Sequence, residues 1–302
     1  MTLAVETNGL SKHYGHTVAL DGLDLEVQEG EVFGYLGPNG AGKSTTISLL
    51  LGSIRPTSGS ASIFGLDVRR EARALHRRLA YVPSGANLWP SLTGEEAMHF
   101  LGSIHGSVDE AYRHELISRY ELSVDKKIRA YSHGNRQKVL LVAAFASRAD
   151  LLLLDEPTSG LDPLMEQVFR ECVVEARSRG QTVLLSSHIL SEVEAVCDRV
   201  SMLRNGHIIE TGRLDVLRGL AAVRVRALID GVVPDLSQVE GITKVVVDGQ
   251  TIECEVSGSM EPLMAALAQA RVTHLSTREP SLEELFVSHY GDGPVTVDRT
   301  PT

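Results

Sequence analysis

Nine consecutive residues, Gly37-Pro38-Asn39-Gly40-Ala41-Gly42-Lys43-Ser44-Thr45, have the types and spacing to hold a polyphosphate. They spell G-x-x-x-x-G-K-[ST], in which glycines let the backbone wrap an anion and turn its N–H groups inward. Lys43 reaches the β- and γ-phosphates of such a ligand, and the Ser44 hydroxyl suits a magnesium ion beside them. From Thr45 onward Ile47, Leu50 and Leu51 predict a helix whose positive N-terminus points at the anion. Gly37, Asn39, Gly40, Ala41, Gly42, Lys43, Ser44 and Thr45 are therefore the candidate nucleotide contacts.

A second cluster suits phosphate chemistry. Leu151-Leu152-Leu153-Leu154-Asp155-Glu156 places two carboxylates after four leucines, roughly 110 residues beyond the cradle. Such a run predicts a strand buried on both faces, and open α/β sheets bind ligands at the carboxyl ends of their strands. Asp155 there suits a magnesium contact, direct or through water, and Glu156 suits polarising a water for in-line attack on a γ-phosphate.

The elements that must position these groups follow from the pattern. Strands are expected at Leu3–Val5, Thr17–Leu20, Leu23–Val27 and Glu31–Leu36, with Gly22 and Gly30 as breaks. The cradle helix runs to about Gly52, Ser60–Phe64 is a strand, Arg69–Arg78 a charged helix and Leu79–Val82 a strand stopped by Pro83. A capping box, Thr93-Gly94-Glu95-Glu96, opens a helical stretch reaching Arg148. Helix Leu164–Arg179, strand Thr182–Ser186, helix Ser191–Cys197 and a hairpin about Asn205-Gly206 complete a strand–helix alternation typical of an α/β sheet. Past Gly219 the pattern changes. Antiparallel strands at Val223–Ile229, Ile242–Val247 and Thr251–Val256, a strand at Val272–Ser276, and helices Pro262–Ala270 and Ser281–Tyr290 predict a small α+β appendage. The expected organisation is a main domain over 1–219, an appendage over 220–290 and a disordered tail over 291–302.

Composition narrows the class. A net charge of −10 on 302 residues argues against a nucleic-acid partner, which calls for a basic face. The excess is uneven: twelve carboxylates face six basic residues after Leu220, leaving the phosphate-binding part nearer neutral. Cys172, Cys197 and Cys254 make neither a metal spacing nor an even disulfide set, as in a reducing compartment. No basic and then apolar leader is visible at the N-terminus, and no apolar run approaches the roughly 18–20 residues of a membrane helix. Any link to a membrane is expected to run through a partner.

With both phosphate motifs present, the chain resembles the ATP-binding subunit of ABC transporters over roughly residues 3 to 217. Five further elements of that family stand in the right order. Tyr14, in Lys12-His13-Tyr14-Gly15, matches the aromatic that stacks on adenine, although an edge-strand tyrosine would look the same. Tyr81-Val82-Pro83-Ser84 stands where the family has Tyr-Val-Pro-Gln. Tyr131-Ser132-His133-Gly134-Asn135 falls in place of the signature Leu-Ser-Gly-Gly-Gln. Ser159-Gly160-Leu161-Asp162 matches the loop coupling the two sites, and His188 the histidine that touches the γ-phosphate. Ser132 before a helix, and Asp162 before Pro163, also read as ordinary N-caps, and both roles hold together.

The resemblance implies a P-loop NTPase of the ABC ATPase fold, with an antiparallel β subdomain, a helical subdomain and the α+β appendage. It implies an ATP hydrolase requiring ATP and Mg2+, with Lys43, Glu156 and His188 catalytic and Ser44, Asp155 and Ser84 at the metal. Tyr14, Ser132, Gly134 and Asp162 join the cradle as nucleotide contacts. Two departures stand out: His133 and Asn135 alter the signature while Ser132 and Gly134 are kept, and Ser84 replaces a glutamine whose reach it lacks. In this family each signature completes the cradle of a second copy, so a head-to-tail dimer closing on two ATP molecules is implied. A separate multi-span permease subunit, at the cytoplasmic face of a bacterial membrane, is implied as well. Trp89, in Asn87-Leu88-Trp89-Pro90, is either part of the groove that grips it or a core residue beneath a turn. Ser281–Gly291 resembles the end of exporter ATPases of the daunorubicin-resistance kind, which points to efflux of drugs or other hydrophobic molecules. The competing readings are an importer ATPase and a soluble ABC-type ATPase acting on a macromolecule.

Overall fold

A computed structural model describes residues 2–85, 87–105, 108–214, 216, 222–236, 239–268 and 270–278. The expected helix Ser281–Tyr290 and the tail over 291–302 lie outside the described residues. The chain divides into two compact units, Met1–Gly212 and Arg213–Thr302.

The first unit opens on two twelve-residue strands, β1 (Leu3–Tyr14) and β2 (Thr17–Gln28), paired antiparallel. Short strands broken at Gly22 were the expectation. The structure instead absorbs Gly9 and Gly22 as irregularities inside continuous strands, at φ of 55° and 60°. A glycine in a strand marks a bulge as readily as an end, because it takes positive φ without a Cβ clash. β4 (Ser58–Ile63) and β5 (Leu66–Asp67) complete a sheet of order β2-β1-β4-β5.

The second sheet positions the site. β3 (Val32–Leu36), β6 (Leu79–Val82), β7 (Leu151–Asp155), β8 (Thr182–Ser187), β9 (Arg199–Arg204) and β10 (His207–Arg213) run in the order β10-β9-β3-β8-β7-β6. The β9-β3-β8-β7-β6 pairings are parallel. Period-two alternation explains why four leucines in a row are needed in β7. Leu151 and Leu153 face a core shared with the antiparallel sheet and α1 (Lys43–Leu50). Leu152 and Leu154 face a second core, built with α3 (Gly94–His105), α4 (Glu110–Arg119), α5 (His133–Ala146) and α6 (Pro163–Ser178). Phe145 and Phe169 meet in that core at a ring separation of 6.1 Å.

Local chemistry sets the helix starts. Thr93 N–H donates to Glu96 Oε2 at 2.8 Å and Glu96 N–H to Thr93 Oγ1 at 3.2 Å, the reciprocal box at the head of α3. The helix expected over Arg69–Arg78 shrinks to α2 (Ala72–Leu75). Asp67 Oδ1 accepts the N–H groups of Arg69 and Arg70, both at 2.9 Å, which ties those residues into a turn instead. α7 (Leu190–Val196) follows β8.

The second unit carries its own sheet, order β12-β13-β11-β14, from β11 (Val223–Ile229), β12 (Ile242–Asp248), β13 (Thr251–Val256) and β14 (Val272–Arg278). Among the described residues its three strand pairings, β12–β13, β13–β11 and β11–β14, are antiparallel. One face, with Val225, Ala227, Ile229, Ile252, Cys254 and Val256, packs with Leu263 and Leu267 of α8 (Glu261–Leu267).

Gly34, in the middle of β3, shows how tightly α7 sits on the sheet. A Cβ there would lie 2.5 Å from Val193 Cγ1 and 2.8 Å from Val200 Cγ1. Gly34→Ala is expected to destabilise the protein by ~1–3 kcal/mol, read as a lower urea midpoint at unchanged slope. Adding Val193→Ala should relieve part of that loss, so that the pair costs less than the two single changes together.

Candidate active site

Three adjacent strands of the parallel sheet end at one edge, and each delivers one part of the site. β3 leads into the cradle, β8 into His188 and β7 into Glu156. Register holds them level: Leu36 pairs with Ser187 across β3–β8, and Asp155 with Ser186 across β7–β8. Gly37 N–H donates to Ser187 O at 3.3 Å, stitching the mouth of the cradle to the end of β8.

The cradle needs its glycines. A Cβ on Gly37 would sit 2.5 Å from Leu203 O, and Gly42, at φ 114°, would meet Ala19 O and Leu20 Cδ2, both at 2.7 Å. Gly40 turns at φ 81°, with Asn39 exposed beside it and Ala41 buried. α1 begins at Lys43, two residues before Thr45, with Gly42 at its N-cap and no side-chain cap. Its exposed second residue is Ser44, so the Ser44 hydroxyl stands at the positive end of the helix.

The Lys43 side chain is 5% exposed and folds back over the loop. Its ammonium donates to Gly37 O at 2.7 Å and to Pro38 O at 3.3 Å, and lies 3.6 Å from Glu156 Oε1. Burial pushes the Lys43 pKa below its ordinary value, while the negative charges of Glu156 and then Asp155 pull it back.

Glu156 sits at φ 48°, a left-handed backbone that non-glycine residues adopt at a cost of ~1–3 kcal/mol and that gathers at working sites. Its N–H donates to Ser186 O at 3.0 Å, which holds that turn. Its Oε1 accepts from His188 Nδ1 at 3.1 Å, so one carboxylate bridges Lys43 and His188. Asp155, 1% exposed, accepts from Ser186 Oγ. Burial, and after it the Asp155 charge, pushes the Tyr81 phenol up to about 12. Tyr81 and Val82 pair with Leu153 and Leu154, so the half-buried Ser84 follows the end of β6 beside the β7 terminus.

The other predicted residues stand in separate places. Tyr14 ends β1 half exposed, with Lys12 Nζ 4.8 Å from its ring centroid. Ser132 caps α5 by accepting Asn135 N–H at 3.2 Å, and Asp162 caps α6 by accepting from Leu164 and Met165, both at 3.1 Å. A Cβ on Gly134 would meet Gly160 O, so the signature turn packs directly on the Ser159–Asp162 loop. Among the described residues no hydrogen bond or ion pair joins Ser132, Gly134 or Asp162 to Lys43, Asp155, Glu156 or His188.

Two buried residues escape the sequence reading. Gln137, fully buried in α5, donates through Nε2 to Pro157 O at 3.0 Å, tying the signature helix to the turn after Glu156. Glu192 accepts from Thr158 Oγ1 at 2.5 Å and from Ser187 Oγ at 2.7 Å, linking that same turn to the residue before His188. The hydroxyls beside Asp155 and His188, at Thr158, Ser186 and Ser187, were the available signal.

Since Glu156 raises the Lys43 pKa, Glu156→Gln should lower it further, measurable by 13C NMR titration of the lysine side chains. The native pKa lies below the unfolded one, so between them the unfolded chain holds the extra proton. Stability contributed by this group therefore rises with pH from the native pKa toward 10.5, and the variant widens that window downward.

Comparison with known proteins agrees with this geometry. Residues 20–159 match the ABC transporter family. The daunorubicin/doxorubicin resistance ATP-binding protein DrrA of Streptomyces peucetius is 34% identical, over 96% of this chain and 93% of its own length. Nod factor export ATP-binding protein I of Rhizobium etli is 32% identical, over 94% and 92%. A solved structure described as the ATP binding subunit of an ABC transporter superposes with a TM-score of 0.67 at 33% identity, over 71% of this chain and 92% of that one. A buried lysine, an Asp-Glu pair and a histidine gather on one sheet edge of a chain that belongs to the ATP-binding proteins of ABC transporters, which are ATP hydrolases.

Proposed function

We propose that this protein powers export of drugs or other hydrophobic small molecules through a separate membrane subunit, at the cytoplasmic face of the cell membrane. Its near-full-length likeness to a drug-resistance protein and a Nod factor export protein supports the cargo class and direction. No helix among the described residues is long and apolar enough to cross a membrane.

The observation that carries the mechanism is the Lys43–Glu156–His188 chain of contacts. Lys43 exchanges Glu156 for the β- and γ-phosphates of ATP, since both supply the negative charge its buried ammonium needs. Glu156 then polarises the attacking water, and His188 contacts the γ-phosphate from the end of β8. Ser44 and Asp155, with Ser84 from the end of β6, are oxygen donors of the kind Mg2+ takes beside substrate phosphates. An ion held by these oxygens would supply positive charge to offset the charge of the nucleotide phosphates. Tyr14, exposed at the end of β1, offers its ring to adenine.

Ser132, Gly134 and Asp162 act across the interface of a second copy. The Ser132 capping bond uses one lone pair of the hydroxyl, which leaves its O–H to donate to a γ-phosphate oxygen of the partner's nucleotide. Loss of that phosphate removes the bond and lets the interface open. The exposed rings of Trp89 and Phe100 meet edge to face at 4.7 Å. Together with Ile104 they make an apolar patch on α3 and the loop before it, suited to grip the membrane subunit.

Glu156→Gln should keep ATP binding but cut phosphate release by ~10²–10⁴-fold, leaving an ATP-bound dimer on size-exclusion chromatography. Wild-type turnover in that variant would remove Glu156 as the polarising group. Trp89→Ala/Phe100→Ala should weaken binding of the membrane subunit about thirtyfold or more, read as lost co-purification, as loss of a buried aromatic anchor costs about 2 kcal/mol or more at an interface.

A further inference from the structure

A cavity of about 690 Å3 opens on the first unit, walled by the end of α1, by β4 and by the Asp67–Ala72 turn. Three arginines line it, Arg55, Arg69 and Arg70, with Ser53 and Ser60. All three side chains are exposed, and among the described residues none forms an ion pair. The single carboxylate on the wall, Asp67, has Oδ1 engaged by the backbone N–H groups of Arg69 and Arg70, not by their guanidiniums. In a chain of net charge −10, the stretch from Arg55 to Arg78 carries six arginines against Asp67 and Glu71. This is the opposite sign to the molecule as a whole.

The rim is held before any ligand arrives. Lys12 Nζ donates to Arg55 O at 2.7 Å, His13 N–H to Thr57 Oγ1 at 2.9 Å, and Thr57 N–H to Ser11 O at 2.8 Å, pinning the Arg55 loop to β1. The Asp67 turn fixes the backbone of Arg69 and Arg70 in the same way. Repelling cations cost stability at low ionic strength, and a shared anion relieves that cost. Guanidinium forks match phosphate oxygens in pairs, more closely than they match a point charge.

We propose that this cavity is a second anion site, separate from the Gly37–Thr45 cradle, that takes a phosphate ester between Arg55 and the Arg69–Arg70 turn. The phosphate is either that of a soluble ester or that of an anionic lipid headgroup.

The test uses the full-length protein saturated with magnesium and a nonhydrolysable ATP analogue, so that the cradle is filled. Inorganic pyrophosphate is titrated by calorimetry, and vesicles of phosphatidylcholine with and without phosphatidylglycerol are tested by flotation. Pyrophosphate should bind, more weakly at high salt, and Arg55→Gln/Arg69→Gln/Arg70→Gln should weaken it about tenfold or more. Arg73→Gln/Arg77→Gln, which removes as much charge per residue outside the cavity, should change it less than about twofold. Co-flotation with the phosphatidylglycerol vesicles alone, competed by pyrophosphate, identifies a lipid source; pyrophosphate binding without co-flotation identifies a soluble ester. Binding of neither probe, or equal losses in the cavity and control variants, overturns the proposal. Should the triple variant fail to fold, Ser60→Glu, which sets a carboxylate on the cavity wall, must weaken binding comparably; unchanged binding there overturns it too.

Discussion

A lysine ammonium almost without water governs the sheet edge where β3, β8 and β7 end. Lys43 is buried, and a buried cation is tolerated only where oxygens surround it and an anion stands near. The loop supplies two carbonyls, Gly37 O and Pro38 O, and Glu156 supplies the charge. The other features of the edge can be read from that requirement. Gly42 lets the chain turn into α1 so that Lys43 points back over the loop, and β7 must end level with β3 for Glu156 to reach it. In the proposed mechanism a polyphosphate entering the cradle would substitute one set of anionic oxygens for another around the Lys43 ammonium.

Rigidity at this edge comes from the sheet. β8 lies between β3 and β7, and its last residues are hydrogen-bonded to both neighbours' loops: Ser187 O receives Gly37 N–H, and Ser186 O receives Glu156 N–H. Ser186 Oγ also donates to Asp155. One short segment thereby holds the cradle, the acidic pair and His188 in fixed relation. The left-handed backbone at Glu156 is sustained by those bonds, and it directs a carboxylate toward Lys43 and His188 where a regular strand would alternate it away. Below the edge, alternate leucines of β7 are anchored in two separate cores, which resists sliding of the strand.

A second group of residues, at the head of α5 and in the loop before α6, is organised on different principles. Ser132, Gly134, Gly160 and Asp162 form a compact surface of helix caps and close backbone contacts, with no hydrogen bond or ion pair to the Lys43 cluster among the described residues. Gln137 and Glu192 are the buried ties that reach from this neighbourhood, or from His188, to the turn after Glu156. The acidic second unit stands on a core of its own, with alternating burial along β11.

Much of this was legible in the chain alone, because some signals are local. The cradle spacing, the Thr93–Glu96 capping box, the Asp162-Pro163 start and the four-leucine run are each decided within a few residues, where backbone sterics and local hydrogen bonds dominate. Extents were not. Gly9 and Gly22 interrupt a pattern but not a strand, since the neighbouring strands keep pairing past them, and Asp67 turned an expected helix into a turn through two backbone bonds. Residue types and order thus determined which chemistry the protein performs. Which carboxylate faces Lys43, which hydroxyls brace Asp155, and that Glu192 binds Thr158 and Ser187 were decided only by the parallel stacking of β3, β8 and β7. Strand order is set by how distant segments bury their side chains together, and that information is not carried by any one stretch of sequence.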